Sequence, residues 1–210
     1  MTNNKLLTKL YLISPAYIIV NEFAKSLELV LKTGLVYCFQ LRLKNIEDNF
    51  IVSASKKLIP ICKKYNVPFI LNDRFDLANE VGADGVHLGE NDGNIIEARK
   101  LLGANAIIGA SCYNSKHLAM EAAEKGADYV AFGAFFDTQT KIPKSKAEID
   151  TVKDWVYISN IPCVAIGGIN SLNCKELVKA GVDLIAVIGC IWSNKETPEI
   201  AIKQFESILI

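Results

Sequence analysis

The sequence lacks several features that would indicate a function directly. Basic and acidic residues number 23 each among 210, so no excess of positive charge predicts nucleic acid or an anionic membrane as a partner. No run of 18 apolar residues predicts a membrane span. The N-terminal apolar stretch is interrupted by Lys5 and Lys9, so we predict no signal peptide there. P-loop and GxGxxG motifs are missing, as is any Ser/His/Asp arrangement.

The cysteines also lack a pattern that would predict a metal site. None forms a CxxC pair, and no cysteine–histidine cluster has the spacing of zinc ligands. The six residues are scattered through mostly apolar segments: Cys38, Cys62, Cys112, Cys163, Cys174 and Cys190. This distribution is typical of buried, reduced thiols, and predicts a cytoplasmic protein.

Short apolar segments are abundant, and we interpret eight of them as β-strands. They lie at 10–14, 36–42, 68–72, 85–89, 106–111, 129–134, 162–168 and 184–189. The segments are continuously apolar rather than alternating, which is typical of a parallel sheet covered on both faces. Helical patterns lie between them. In the second, over 48–66, Pro60 indicates a possible kink or break.

Eight strand–helix units in half-hydrophobic sequence of this length predict a single (β/α)8 TIM barrel domain over residues 1–210. A doubly wound open sheet remains an alternative, because the number of strands does not establish closure. Three junctions share the order helix, glycine, alanine or valine, aspartate, strand, which is the nearest feature to an internal repeat. A barrel places its chemistry just after each strand.

Basic residues follow the second strand. Gln40, Arg42 and Lys44 are spaced by two, so in extended chain they lie on one face. The alternative is a solvated strand end, which the buried character of the preceding segment disfavours.

Acidic residues follow the third and fourth strands. Asn72 and Asp73 end one, and Asp92 lies in the loop after the next. Each aspartate can be a helix cap, with Asp73 paired to Arg74. Alternatively, the two converge on Mg²⁺, which prefers a few carboxylates together with water and phosphate oxygens.

The remaining strand ends carry hydroxyls, glycines and one lysine. Ser111 follows the fifth strand, while Thr138, Thr140 and Lys141 follow the sixth. Glycines after the seventh and eighth strands, including Gly168 and Gly189, indicate either turn geometry or a phosphate site made of backbone N–H groups. We interpret His87, within the fourth strand, as a hydrogen-bonded residue of the barrel interior.

At these positions the chain resembles the thiamine-phosphate synthase family over nearly its whole length. The resemblance rests on QLRLK (40–44), LNDRFDLANEVGADGVHLGENDG (71–93), GAS (109–111), GAFFDTQTK (133–141), AIGGIN (165–170) and AGVDLIAVIG (180–189). It implies a TIM barrel transferase that joins 4-amino-2-methyl-5-hydroxymethylpyrimidine diphosphate to thiazole phosphate, giving thiamine phosphate and pyrophosphate by a dissociative mechanism. It also implies a homo-oligomer.

The resemblance also implies a role for each matching residue. The pyrimidine diphosphate would be held by Gln40, Arg42, Lys44, Asn72, Ser111 and Lys141, of which Arg42, Lys44, Lys141 and Ser111 would be catalytic. Thiazole phosphate would be held by Thr138, Thr140, Gly168, Ile188 and Gly189. Mg²⁺ would be held by Asp73 and Asp92.

The chain departs from the family pattern at a few positions. Leu43 stands where an acidic residue is usual, Gly189 where a serine is usual, and the 141–147 loop lacks an expected glycine. Three other functions remain open: a related thiazole tautomerase, a sugar-phosphate isomerase or epimerase, and a non-catalytic sensor of thiamine precursors. The tautomerase tends to carry a histidine after the sixth strand, where this chain has GAFF.

Overall fold

The computed structural model describes residues 8–138 and 145–209. Its strands form a closed barrel in which every strand pairs in parallel with its sequence neighbour and β1 closes onto β8. The strands are β1 (Lys9–Ile13), β2 (Val36–Leu41), β3 (Phe69–Asn72), β4 (Gly85–Leu88), β5 (Ile107–Tyr113), β6 (Tyr129–Gly133), β7 (Cys163–Ile166) and β8 (Leu184–Val187). The predicted barrel is confirmed, and the open sheet is excluded.

Helices surround the barrel; of those described, seven connect successive strands and two follow β8. They are α1 (Val20–Leu31), α2 (Asp48–Lys64), α3 (Phe75–Val81), α4 (Ile95–Leu102), α5 (Lys116–Glu124), α6 (Ile149–Ile158), α7 (Lys175–Ala180), α8 (Gly189–Trp192) and α9 (Pro198–Lys203). Among the described residues, no helix is both long enough and apolar enough to cross a bilayer.

Alternation along the strands separates two apolar layers. In β1, Leu10 and Leu12 pack outward in the large cluster shared with the helices, whereas Tyr11 and Ile13 point inward. The inner cluster consists of Tyr11, Ile13, Cys38, Tyr129, Ala131, Val164, Leu184 and Ala186. Residues that continue this inward-facing alternation at the end of each strand therefore point into the carboxyl-terminal mouth of the barrel.

The three repeated junctions have a common structural role. The aspartate side chains accept hydrogen bonds from the N–H groups that begin the preceding parallel strand: Asp84 from Phe69, Asp128 from Ile108 and Asp183 from Cys163, at 2.7, 2.6 and 2.8 Å. The glycine before each aspartate has a positive φ, between 67° and 95°, which ends its helix without the strain a side chain would bring.

The second predicted helix is confirmed, and it does not break at Pro60, because α2 continues through that residue to Lys64. Proline removes a helical hydrogen bond to the carbonyl four residues earlier. Here Pro60 and Lys56 both lie on the exposed face of α2, where water can hydrate that carbonyl. The opposite face, which includes Leu58 and Cys62, packs against the barrel.

Candidate functional site

A cavity of about 880 Å³ opens at the carboxyl ends of the strands. Every strand or the loop after it contributes to the wall, as expected for a TIM barrel site. The cavity brings together most of the residues predicted from sequence: Gln40, Arg42, Lys44, Asn72, Asp73, Asp92, Ser111, Thr138, Gly168, Ile188 and Gly189. Thr140 and Lys141 lie outside the described residues, as does most of the 141–147 loop.

The end of β2 carries the basic side of the cavity. Gln40, Arg42 and Lys44 line it, while the intervening Leu41 and Leu43 are buried in the outer apolar layer. The Arg42 N–H donates to Ser14 Oγ at 2.8 Å, which holds the chain extended beyond the last residue of the strand. The predicted common face is therefore confirmed, and Leu43 is a packing residue.

Two aspartates, Asp73 and Asp92, lie near the cations Arg42 and Lys44 on the cavity wall. The Lys44 Nζ donates to Asp73 Oδ2. Burial lowers the pKa of the Arg42 guanidinium, and the negative charges of Asp73 and Asp92 oppose that shift. Arg42 is therefore close enough to interact electrostatically with both carboxylates. It does so as a cation, because arginine remains charged in proteins.

The capping alternatives for these aspartates are wrong. The N-cap of α3 is Arg74, which pairs with Asp48 and Asp76 rather than with Asp73. The N-cap of α4 is Asn94, whose side chain accepts from the Ile96 N–H.

Asp73 and Asp92 are thus directed to the cavity. Asp92 folds over the end of β4, where a Cβ on Gly89 would lie 2.3 Å from its Oδ2. Both predicted Mg²⁺ ligands therefore line the cavity, although the described residues contain no group of three or more His, Cys, Asp and Glu arranged to hold a metal.

The glycine pair after β7 allows a close contact with the loop after β6. A Cβ on Gly167 would lie 2.3 Å from Ala134 Cβ, and one on Gly168 would lie 2.3 Å from the Asp137 carbonyl oxygen. Both glycines have positive φ. Turn geometry therefore explains the pair, and it also places the backbone of Gly168 beside Thr138 on the cavity wall.

The end of β8 leads directly into a short helix. Ile188 is the residue before α8, Gly189 begins it, and both line the cavity. The indole Nε1 of Trp192, at the end of this helix, donates to the Ile13 carbonyl at 2.7 Å and holds the helix against β1.

The floor of the cavity carries polar groups among apolar ones. Gln40 is 2% exposed, and its Nε2 has no hydrogen-bond partner within the described residues. An unpaired buried amide is unfavourable unless a ligand satisfies it.

Four more floor residues form a chain of hydrogen bonds. Tyr11 Oη lies 2.7 Å from Tyr129 Oη, which lies 3.0 Å from His87 Nδ1, and His87 Nε2 lies 2.9 Å from Ser111 Oγ. Burial raises the pKa of both phenols well above the ordinary value, so both are protonated at neutral pH. The predicted hydrogen-bonded position of His87 inside the barrel is confirmed.

The sequence analysis did not identify every residue of the cavity wall. Tyr11, Tyr113 and Trp192 also line it, as does Glu90. Tyr11 was missed because it lies within an apolar strand rather than after one. The period of two that places Ile13 and Gln40 inside the barrel would have identified it.

The sequence matches the family model described as thiamine monophosphate synthase over residues 10–191. Among similar proteins, the thiamine-phosphate synthase of Rhodospirillum centenum is 47% identical over 201 residues, covering 96% of this chain and 97% of that protein. The thiamine-phosphate synthase of Erythrobacter litoralis is 46% identical over 201 residues, covering 93% of each.

Solved structures show the same likeness. The thiamine phosphate pyrophosphorylase of Pyrococcus furiosus superposes with a TM-score of 0.82 at 36% identity, covering 98% of this chain and 96% of the other. A 3-hexulose-6-phosphate synthase superposes with a TM-score of 0.68 at 13% identity, which shows only a common fold.

Proposed function

The chain belongs to the thiamine monophosphate synthase family, and on that premise we propose that it condenses an aminopyrimidine with a thiazole to form thiamine phosphate. The substrates are 4-amino-2-methyl-5-hydroxymethylpyrimidine diphosphate and thiazole phosphate, and the second product is pyrophosphate. The observation that carries the proposal is a cavity that places Arg42 and Lys44 beside Asp73 and Asp92. The same cavity contains the buried Gln40 amide, which has no hydrogen-bond partner in the described part of the chain.

The pyrimidine diphosphate occupies the β2–β5 side of the cavity in this proposal. Arg42 and Lys44 bind the diphosphate, and Asn72 contacts it beside them. Gln40 and Ser111 bind the pyrimidine ring. The Nε2 of Gln40, which has no partner among the described residues, supports this assignment, because a heteroaromatic ring nitrogen can accept a hydrogen bond from it.

Thiazole phosphate occupies the β6–β8 side. Thr138, Gly168, Ile188 and Gly189 line that wall, where hydroxyl and backbone N–H groups can bind phosphate oxygens. The family resemblance adds Thr140 to this set and adds Lys141 to the residues that bind the departing pyrophosphate.

The two carboxylates fit a bound Mg²⁺. Asp73 and Asp92 are the ligands we propose, and two carboxylates match the preference of Mg²⁺ for sites completed by water and substrate phosphate. When bound, the ion neutralises negative charge on the diphosphate.

The proposed reaction is dissociative. The bond between the pyrimidine methylene carbon and the diphosphate oxygen breaks first, and its electron pair leaves with pyrophosphate. The thiazole nitrogen then donates its lone pair to the resulting methylene cation. Arg42 and Lys44 stabilise the charge on the leaving group, and the apolar side chains of the floor keep water from the cation.

The test combines both substrates with the purified protein, with and without Mg²⁺, and follows thiamine phosphate and pyrophosphate together. We expect Mg²⁺-dependent formation of both products in equal amounts. Binding of both substrates without either product would contradict a synthase and indicate a binding protein.

Separate Asp73→Asn and Asp92→Asn variants test the metal ligands. We expect each to raise the Mg²⁺ concentration needed for half-maximal turnover by at least roughly 10- to 100-fold, because the loss of a group that merely orients a metal ligand already weakens binding by that factor. Asp154→Asn, which removes a carboxylate from an exposed ion pair with Lys116, is the matched control. An unchanged Mg²⁺ requirement in both site variants would contradict this assignment.

A further inference from the structure

We infer that Tyr11 and Tyr129 are positioning residues that fix the proton of His87 on Nε2, so that Ser111 presents its hydroxyl proton to the ligand. The identity of that ligand rests on the proposed function. The arrangement of protons does not, because it follows from contacts within the protein.

The hydrogen-bonded chain runs from Tyr11, which is almost fully buried where it reaches the cavity, to Ser111. Tyr11 is 2% exposed and Tyr129 7%, and both belong to the inner apolar cluster. Ser111 lies at the other end, on the cavity wall. Each link is between 2.7 and 3.0 Å, within the range of ordinary hydrogen bonds.

The number of donors and acceptors determines the direction of the chain. Within the described residues, Tyr11 Oη has one hydrogen-bond partner, Tyr129 Oη. The Tyr11 proton must be donated there, since a buried hydroxyl proton without an acceptor is unfavourable. Tyr129 then accepts from Tyr11 and donates its own proton to His87 Nδ1. An unprotonated Nδ1 requires a proton on Nε2, which donates to Ser111 Oγ.

The reverse direction fails at the buried end. If His87 Nδ1–H donated to Tyr129, the Tyr129 proton would go to Tyr11, and the Tyr11 proton would have no acceptor among the described residues. The same objection applies to a doubly protonated imidazole, because its Nδ1 is also a donor.

Packing fixes the phenol that connects the two ends. A Cβ on Gly109 would lie 1.9 Å from Tyr129 Cζ, so the ring occupies the space above that glycine. The ring is stacked with His87, their centroids 5.6 Å apart, and meets Tyr11 edge to face at 5.8 Å. Tyr129 therefore has little freedom to move its hydroxyl away from Nδ1.

Ser111 is left with a free proton on the cavity side. Its oxygen accepts from His87, so the hydroxyl donates to an acceptor on the ligand. Gln40 Nε2, on the same floor, is a second donor that has no partner among the described residues. Two donors fit a ligand with two acceptors, and the two ring nitrogens of the aminopyrimidine are such acceptors.

Nitrogen NMR of histidine tests the proton arrangement directly. The chain contains two histidines, and the side chain of His117 is 77% exposed and lies beside Glu121, so its resonances serve as the internal reference for an imidazole outside the barrel. In protein labelled with ¹⁵N-histidine, we expect His87 to carry its proton on Nε2 and to accept a hydrogen bond at Nδ1. A His87 proton on Nδ1 would overturn the inference, whether or not the protein turns over substrate.

The Tyr129→Phe variant tests the positioning role. Its Nδ1 resonance should move toward that of a nitrogen without a hydrogen-bond partner, while the His117 resonances remain unchanged and report an intact fold. Tyr157→Phe, which removes the hydroxyl of a 91% exposed tyrosine, should leave the His87 spectrum unchanged. An unchanged His87 Nδ1 resonance in Tyr129→Phe would overturn the inference.

Kinetics distinguish positioning from general stability. Tyr129→Phe should lower kcat/KM for the pyrimidine diphosphate roughly 3- to 10-fold, the effect of one weakened hydrogen bond, and leave KM for thiazole phosphate unchanged. Replacing the ring nitrogen that accepts from Ser111 by CH gives an analogue that tests this hydrogen bond. Wild type should bind the analogue more weakly than the parent pyrimidine diphosphate. Ser111→Ala should bind the two compounds equally well. If Ser111→Ala discriminates against both possible CH analogues as strongly as wild type does, donation to the ring is wrong.

Discussion

Gln40 lies on the cavity floor as a buried amide whose NH₂ group has no partner among the described residues. Its neighbours in the strand, Phe39 and Leu41, are fully buried on the outer side of the barrel. A polar side chain in this place lowers stability unless a ligand hydrogen-bonds to it. Under the proposed function, ligand binding rather than the packing of the barrel explains an amide at this position.

A Gln40→Met variant separates these two effects. Methionine keeps the length of the side chain and removes the unpaired amide, so we expect the free energy of unfolding to stay the same or rise by about 1 kcal/mol. We expect KM for the pyrimidine diphosphate to rise roughly 10-fold. Denaturant unfolding and steady-state kinetics measure the two, with the exposed Gln204→Met as control. A loss of stability would contradict the role given to Gln40.

At the scale of elements, the barrel is held at its amino-terminal end by aspartates. Asp84, Asp128 and Asp183 each connect the start of one strand to the start of the preceding strand through a side-chain hydrogen bond. A hydrogen bond to a carboxylate is stronger than one between neutral groups. The repeated junction is thus a device for strand register, placed opposite the cavity.

We expect Asp183→Ala to lower the free energy of unfolding by about 1–3 kcal/mol, because the buried Cys163 N–H loses its acceptor. Turnover should be unchanged at temperatures where the variant is folded. Denaturant unfolding checks the first expectation, with Asp154→Ala on the outer face of α6 as control. A loss below about 0.5 kcal/mol, the usual effect of a surface substitution, would contradict a role in strand register.

The strands were easier to predict from sequence than the ion pairs and hydrogen bonds between side chains. Each strand of this barrel is buried on both faces, so it appears in the sequence as an uninterrupted apolar segment. The cavity residues after β2, β3 and β4 followed from the position of active sites in barrels. The pairing of Lys44 with Asp73 did not follow, because it depends on three-dimensional distance between neighbouring strand ends.

The features that the sequence did not predict depend on the three-dimensional surroundings of a residue, which the local sequence does not report. Pro60 indicates a helix break locally, yet the exposed face of α2 tolerates it. Tyr11 and Tyr129 look like ordinary core residues, and only their place on the inward face of different strands brings their hydroxyls together. Local patterns report burial, whereas these contacts depend on how strands separated by more than a hundred residues meet.

At the scale of the whole molecule, the buried thiols make stability depend on alkaline pH. Burial raises the pKa of Cys62, Cys112 and Cys163 from 9.0 to about 12. In the unfolded chain these thiols ionise above pH 9, whereas in the folded protein they stay neutral. Their contribution to stability is therefore fully present below pH 9 and is lost between pH 9 and 12.

We expect the free energy of unfolding to fall from pH 9 upward by about 1.4 kcal/mol per thiol for each pH unit. Urea unfolding at pH 8, 9 and 10 measures the slope. Cys62→Ala should reduce that slope by the contribution of one thiol, whatever its effect on stability at pH 8. A slope that is the same in the variant and the wild type would contradict the assignment.

The Lys44–Asp73 ion pair makes the two sides of the proposed chemistry thermodynamically dependent on each other. Under the proposed function, Lys44 binds diphosphate and Asp73 binds Mg²⁺, so each ligand must separate the same pair of charges. The affinity of the ligand that binds first is lowered by the free energy needed to separate the pair. The second ligand then binds more tightly, because the pair is already separated. Because such coupling is reciprocal, Mg²⁺ raises the affinity for diphosphate by the factor by which diphosphate raises the affinity for Mg²⁺.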